Sequence, residues 1–307
     1  MDRPGHGARP FHLGDKMTRI IASLAEVSDR YRAVYCDLWG CLHNGKAAFP
    51  DAVAALQTFR AAGGTVLLLT NSPRPAPAVA TQLDALGVPR ACWDVIASSG
   101  DAAQAAMLAG AVSQRVWHLG PPKDEAFFST FAPDLPPATI ERVPFEEAEG
   151  IVCTGLFDDQ TESPADYRAR LLLARERGLK MLCANPDKVV DLGHKRIFCA
   201  GALAEAYAEM GGEVLYFGKP HPPIYDLARK RLAALADVAP DEVLCIGDGP
   251  ETDIAGAAGE GLDALFVTEG LAAGAFGPAQ GKPDPVLLQE WLQSRNLAPA
   301  YTIAHLR

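Results

Sequence analysis

Short apolar runs alternate with stretches of helical periodicity along this chain, and that alternation predicts a parallel sheet wound with helices. Ala33 to Cys36 runs into Asp37. Val66 to Leu69, after a turn at Gly63-Gly64, runs into Thr70, Asn71 and Ser72. Val214 to Phe217 leads to Gly218, Lys219 and Pro220. Val243 to Ile246 leads to Gly247 and Asp248, with Asp253 soon after, and Leu265 to Val267 ends at Thr268.

In an open parallel sheet the ligand sits outside the carboxyl ends of the strands. These run-ends are therefore expected to converge on one crevice holding three carboxylates, one ammonium and hydroxyl donors. Taken singly, each residue also fits a plainer role: Asp37 as a turn former, Thr70 or Ser72 as a helix cap, Lys219 as a solvated charge. The recurrence of such residues at every run-end points to shared chemistry instead.

The spacing predicts a second unit. Roughly 150 residues separate Thr70 from Lys219, whereas a crossover helix needs about a dozen or more. The excess carries its own signals. Val116 to Leu119, Ile151 to Cys153 and Met181 to Ala184 read as strands. Pro164 to Arg177 reads as a helix, with Ser163 as its cap, Pro164 at its first position and Gly178 as its stop. The expected organisation is a frayed lead-in over 1–16, with Met17 as an alternative start, a core over 17–112 and 213–307, and an inserted cap over 113–212.

The residue types suit attack on a phosphoryl group. A carboxylate approaching an anionic phosphate needs a hard cation such as Mg²⁺ to offset the repulsion, and carboxylate oxygens hold such an ion. Asp37 and Asp248 are the expected ligands, with Asp253 in support. Lys219 and the hydroxyl of Thr70 would hold the transferring oxygens. The product at Asp37 would be an aspartyl-phosphate, which water then hydrolyses.

Asp37-Leu38-Trp39-Gly40-Cys41-Leu42, Leu69-Thr70-Asn71-Ser72, Gly218-Lys219-Pro220 and Gly247-Asp248-Gly249-Pro250-Glu251-Thr252-Asp253 resemble the four ordered motifs of the haloacid dehalogenase superfamily. They are most similar to its class IIA branch, which includes nucleotide, sugar and pyridoxal phosphate phosphatases. The resemblance covers about Tyr31 to Thr268. It implies a Rossmann-like α/β core with a cap inserted between the second and third motifs, and catalysis by Asp37, Thr70, Asn71 and Lys219. Magnesium would bind Asp37, Asp248 and the main-chain carbonyl of Trp39. Asn185-Pro186-Asp187 resembles a loop that faces substrate in that branch, making Asn185 and Asp187, with Ser72, substrate-binding candidates. A turn without function fits that tripeptide equally. The resemblance leaves a homodimer open, with the cap as its contact.

One position departs from the family pattern. Phosphatases of the family usually carry an acid two residues after the nucleophile, to protonate the leaving group; here that residue is Trp39. General acid catalysis is typically worth ~10²- to 10⁴-fold. Three accounts stay open: a good leaving group such as an acyl or aryl phosphate, a proton from His43 or a cap residue, or a reaction other than phosphoester hydrolysis. The corresponding readings are a phosphatase of a small phosphorylated metabolite, another Asp-nucleophile hydrolase such as a dehalogenase, and a metal- and phosphate-binding protein with impaired turnover. His43 fits a turn position better than an acid, and His221 a helix start.

Composition narrows the partners. The chain has 307 residues, 49% hydrophobic and 21% charged, enough for a sizeable core, and a formal net charge of -10. That acidity argues against binding nucleic acid, which needs clustered Lys and Arg. Seven cysteines without metal-type spacing, several inside apolar runs, predict reduced, buried thiols and a cytoplasmic setting. No apolar stretch approaches the roughly 20 residues of a membrane span. Gly247 to Thr252 half-imitates a dinucleotide fingerprint, but it lacks the third glycine, and Asp248 would repel a pyrophosphate.

Overall fold

A computed structural model describes residues 17–132, 135, 139–193, 195–277 and 282–307; the expected lead-in over 1–16 lies outside them. In chain order the strands are β1 (Arg19–Ile20), β2 (Ala33–Cys36), β3 (Thr65–Thr70), β4 (Val95–Ser98), β5 (Arg115–Leu119), β6 (Glu141–Arg142), β7 (Gly150–Cys153) and β8 (Lys180–Cys183). They continue with β9 (Val189–Leu192), β10 (Lys195–Phe198), β11 (Val214–Tyr216), β12 (Val243–Gly247), β13 (Asp263–Val267) and β14 (Tyr301–Ile303).

Seven of these make the core sheet, in the order β1-β14-β13-β12-β2-β3-β4, and all its pairings are parallel. Every residue of β2 is buried, because the sheet is covered on both faces. The two-residue period divides its side chains between two apolar layers. Val34 and Cys36 join Val66 and Leu68 on one face, while Ala33 and Tyr35 join Leu67 and Leu69 on the other. β2 pairs on one side with β3, the next core strand in sequence, and on the other with β12, which follows the whole insertion. Strand order reverses there, and the carboxyl ends of β2 and β12 flank the switch point where doubly wound sheets bind ligands.

A second parallel sheet has the order β11-β8-β7-β5-β6 and its own two apolar layers. One layer receives Ala103 and Met107 from the helix Ser99–Leu108, which therefore ties the insertion to the core. The expected helix begins as a tight turn at Pro164–Tyr167 and continues as Arg168–Glu176, and Asp166 Oδ2 ties down its start by accepting from Ser163 N at 2.8 Å and Ser163 Oγ at 2.9 Å. β9 and β10 form a separate antiparallel pair.

One boundary needs correction. The run from Val214 was expected to open the second core segment at 213. Instead β11 pairs with β8, Val214 opposite Met181 and Tyr216 opposite Cys183, and forms an edge of the second sheet. The chain re-enters the core only with the loop before the helix Pro222–Ala233. An apolar run at an edge has the same local composition as one in the core, so only the long-range pairing distinguishes them.

Candidate active site

The carboxyl ends of the two sheets converge. Asp37 follows β2 and donates its backbone N–H to Ile246 O at 2.8 Å. Asp248 follows β12. Lys219 arrives from the opposite side, three residues beyond β11 of the second sheet. Its ammonium donates to Asp37 Oδ1 at 2.6 Å, Asp253 Oδ1 at 2.7 Å and Leu69 O at 2.9 Å. All three donor positions are thus used, and the residue is shut off from solvent at 2% exposure.

Asn71 positions that lysine by its backbone. Its Oδ1 accepts from Lys219 N at 2.7 Å and its Nδ2 donates to Lys219 O at 3.0 Å. The same Nδ2 donates to Asp187 Oδ1 at 2.8 Å, so one amide joins the core to the insertion. The neighbouring Gly218 leaves no room for a side chain: a Cβ there would lie 2.5 Å from Asn71 Oδ1 and 2.6 Å from Pro186 Cδ.

Asp253 is brought back by a wide helical turn over Pro250–Ile254. Its backbone N–H donates to Gly249 O at 2.8 Å, while its Oδ2 accepts from Gly249 N at 3.0 Å. Asp248 Oδ2 accepts from Leu271 N at 2.8 Å. Gly40 turns the chain after Trp39 with φ +75°, where a Cβ would sit 2.1 Å from Asp248 Oδ2. Thr70 is buried, and its Oγ1 accepts from Ser72 N at 3.1 Å. Ser72 lines the cavity described below, with Oγ accepting from Arg74 N at 3.2 Å.

The electrostatics of this cluster suit a cation. Asp37 is 8% and Asp248 5% exposed. Burial pushes the Asp37 carboxyl up against the pull of Lys219. Burial also pushes Asp248 well above the carboxylate range, and Asp37 and Asp253 push it further. Asp248 has no ion pair among the described residues. Oxygens of Asp37 and Asp248 lie with Cys41 Sγ within 4.8 Å of one another. Two buried carboxylates facing each other, with one ammonium already engaged by Asp37 and Asp253, make a donor set that a hard divalent cation fits.

A cavity of about 250 Å³ lies between the two sheets' ends. Trp39, Ser72 and Arg74 line it from the core; Thr154, Asn185 and Asp187 line it from the insertion. Asn185 Oδ1 accepts from Asp187 N at 3.0 Å, fixing the loop after β8. Asp37, Asn71, Lys219, Asp248 and Asp253 thus meet in the buried cluster, Trp39, Ser72, Asn185 and Asp187 line this cavity, and Thr70 is buried at the end of β3.

Sequence reading missed two features. The β9–β10 hairpin contributes Val190, Leu192, Ile197 and Phe198 to the cavity, although Val190-Asp191-Leu192 already alternated as a strand does. Arg74 and Lys123 also line it, paired with Asp124 at 3.3 Å and with Asp159, and no local pattern marks those pairs. His43 is not placed to act as an acid. It is 1% exposed, burial lowers its pKa to about 4, and its Nδ1 accepts from Gly45 N at 3.1 Å. His221 precedes the helix Pro222–Ala233 and stacks on Tyr216 with ring centroids 4.8 Å apart.

Residues 34–131 match the family described as haloacid dehalogenase-like hydrolase, and residues 216–289 match a second HAD-hydrolase-like family. A haloacid dehalogenase-like hydrolase from Brucella suis is 39% identical, with a TM-score of 0.82 over 94% of this chain and 100% of that one. A glycerol phosphate phosphatase from Mycobacterium tuberculosis, in complex with magnesium, is 25% identical, with a TM-score of 0.59 over 80% of this chain and 70% of that one. A phosphoserine phosphatase from Thermus thermophilus is 37% identical over 142 residues, which are 43% of this chain and 54% of that relative, so the match spans about half of it. This chain belongs to the haloacid dehalogenase-like hydrolases.

Proposed function

We propose that this haloacid dehalogenase-like hydrolase is a magnesium-dependent phosphatase of a small phosphorylated metabolite, acting through an aspartyl-phosphate on Asp37. Lys219 bridging Asp37 and Asp253 supports the assignment most directly, because a buried ammonium against one oxygen of Asp37 favours the ionised nucleophile. Phosphatase names among the relatives point the same way.

Asp37, Asp248 and the main-chain carbonyl of Trp39 would hold Mg²⁺, which would supply positive charge to the phosphoryl oxygens. Asp37 then attacks phosphorus. Lys219 and Thr70 hold charge that develops on the transferring oxygens. Asn71 keeps Lys219 in register through its two backbone hydrogen bonds, and Asp253 fixes the ammonium from its other side. The insertion serves as the cap, and the cavity of about 250 Å³ suits a small leaving group lying against Trp39, Ser72, Asn185 and Asp187.

The test is release of phosphate from p-nitrophenyl phosphate by purified protein, with Mg²⁺ and with EDTA. Mg²⁺-dependent turnover that Asp37→Asn abolishes is the expected result. Wild-type turnover in Asp37→Asn would remove the nucleophile assignment.

A further inference from the structure

We propose that Asp187, from the inserted unit, is the general acid that protonates the leaving oxygen, the task left open by Trp39. The proposal rests on the phosphatase reading above. Among the described residues, three carboxyl groups line the cavity: Asp124, Asp159 and Asp187. Asp124 faces Arg74 at 3.3 Å, and Asp159 is paired with Lys123. Each of those two therefore has a cation against its carboxyl group. Asp187 alone of the three has no ion pair among the described residues; its side-chain partner is the amide Asn71 Nδ2, 2.8 Å from Oδ1.

Placement fits the role. Asn71 also holds Lys219 by its backbone, so Asp187 is fixed relative to the lysine that touches Asp37. Asp187 shares the cavity with Trp39, the residue standing where the family's usual acid would be. The groups facing it are Lys219, Asn71, Asp253 and the Asp37 carboxyl, with which it interacts by charge, while Cys183 and Cys199 stand nearby as neutral thiols kept protonated by burial. Burial lifts the Asp187 carboxyl to about 6 against the pull of Lys219 and Asn71, with Asp253 adding to the rise. Burial raises Asp124 too, but Arg74 and Lys123 oppose that rise from close by.

The step balances as follows. An Asp37 oxygen forms a bond to phosphorus while the bond from phosphorus to the ester oxygen breaks. The proton of the Asp187 carboxyl passes to that oxygen, and a neutral alcohol leaves. Asp187, now a carboxylate, takes a proton from the water that attacks the aspartyl-phosphate. Inorganic phosphate departs and the acid is restored.

A general acid matters for a basic alkoxide and little for nitrophenolate, so the test compares glycerol 3-phosphate with p-nitrophenyl phosphate. In the wild type, kcat/KM for the alkyl ester should fall above about pH 6 along a limb that the aryl ester lacks. Asp187→Asn keeps an acceptor for Asn71 and should lower the alkyl-to-aryl ratio of kcat by ~10²-fold or more. An equal loss on both esters would overturn the proposal in favour of a positioning role through Asn71. Superimposable wild-type pH profiles, or wild-type turnover of the aryl ester alone, would also overturn it, and neither needs the variant to fold. No turnover of either ester would instead remove the phosphatase reading, and this proposal with it.

Discussion

Lys219 Nζ lies 2.6 Å from Asp37 Oδ1, although 182 positions separate the two residues and they follow strands of different sheets. The contact joins the loop after β11 to the core at the Asp37 carboxylate. Breaking it exposes the cost of buried charge. Lys219→Met would leave Asp37 and Asp253 without their cation and lose ~3–5 kcal/mol of stability, read as a lower urea midpoint. Adding Asp253→Asn should restore part of that loss, since the two residues form one network. Identical midpoints for the single and double variants would mean that they do not interact in solution.

Asp37→Asn removes the proposed nucleophile but retains an oxygen that can accept from Lys219. Phosphate release should drop by at least ~10³-fold while the fold survives, because a carboxamide at this position cannot form the covalent intermediate. Turnover and circular dichroism on the same preparation separate these two effects.

Asp248 is a buried carboxylate without an ion pair among the described residues, and a divalent cation would relieve it. Saturation with Mg²⁺ at about 100 times its Kd should stabilise the fold by ~2.7 kcal/mol, seen as a rise in Tm. Asp248→Asn should abolish that rise. Without metal, the variant should be at least as stable as the wild type, because a raised, repelled carboxylate has been removed. A metal-induced shift that persists in Asp248→Asn would place the ion elsewhere.

Trp39 is held by its neighbours. Its ring meets His43 edge-on with centroids 5.2 Å apart, and Gly45 leaves just enough space beside it. A Cβ at Gly45 would lie 2.3 Å from the indole and 2.8 Å from Leu192 Cδ1, at a backbone φ of +78°. Gly45→Val should therefore push the indole into the cavity and raise KM for the preferred ester more than it lowers kcat. An unchanged KM would show that the indole does not border bound substrate.

His43 makes stability depend on pH. Burial lowers its pKa from 6.5 to about 4, so between those values the unfolded chain binds a proton that the folded chain refuses. Its contribution is complete above pH 6.5 and is lost as pH falls toward 4, by ~3 kcal/mol in total. His43→Asn keeps an acceptor for Gly45 N and should show a flatter fall than the wild type over that range, measured by denaturant titration at successive pH values. Parallel curves for the two proteins would argue that His43 titrates normally.

The strand-ends and their chemistry were legible because both are local. Two-residue alternation split β2 and β3 between two apolar layers, and Asp37, Thr70, Asn71 and Asp248 follow such runs directly in the chain. Ser163, Pro164 and Gly178 likewise announced a helix with adjacent residues alone. Tertiary structure decided what depends on partners far away in sequence. Val214 to Tyr216 reads as any apolar strand, and pairing with Met181 to Cys183 is what assigns it to the second sheet. Asp187 belonged to a turn-forming tripeptide until Asn71 bound it and burial raised its carboxyl. The cavity's apolar wall from β9 and β10, and the pairing of its other two acids with Arg74 and Lys123, are likewise settled between separate segments. Periodicity and turn chemistry act over a few residues, whereas burial and charge pairing are set by whatever the folded chain brings alongside.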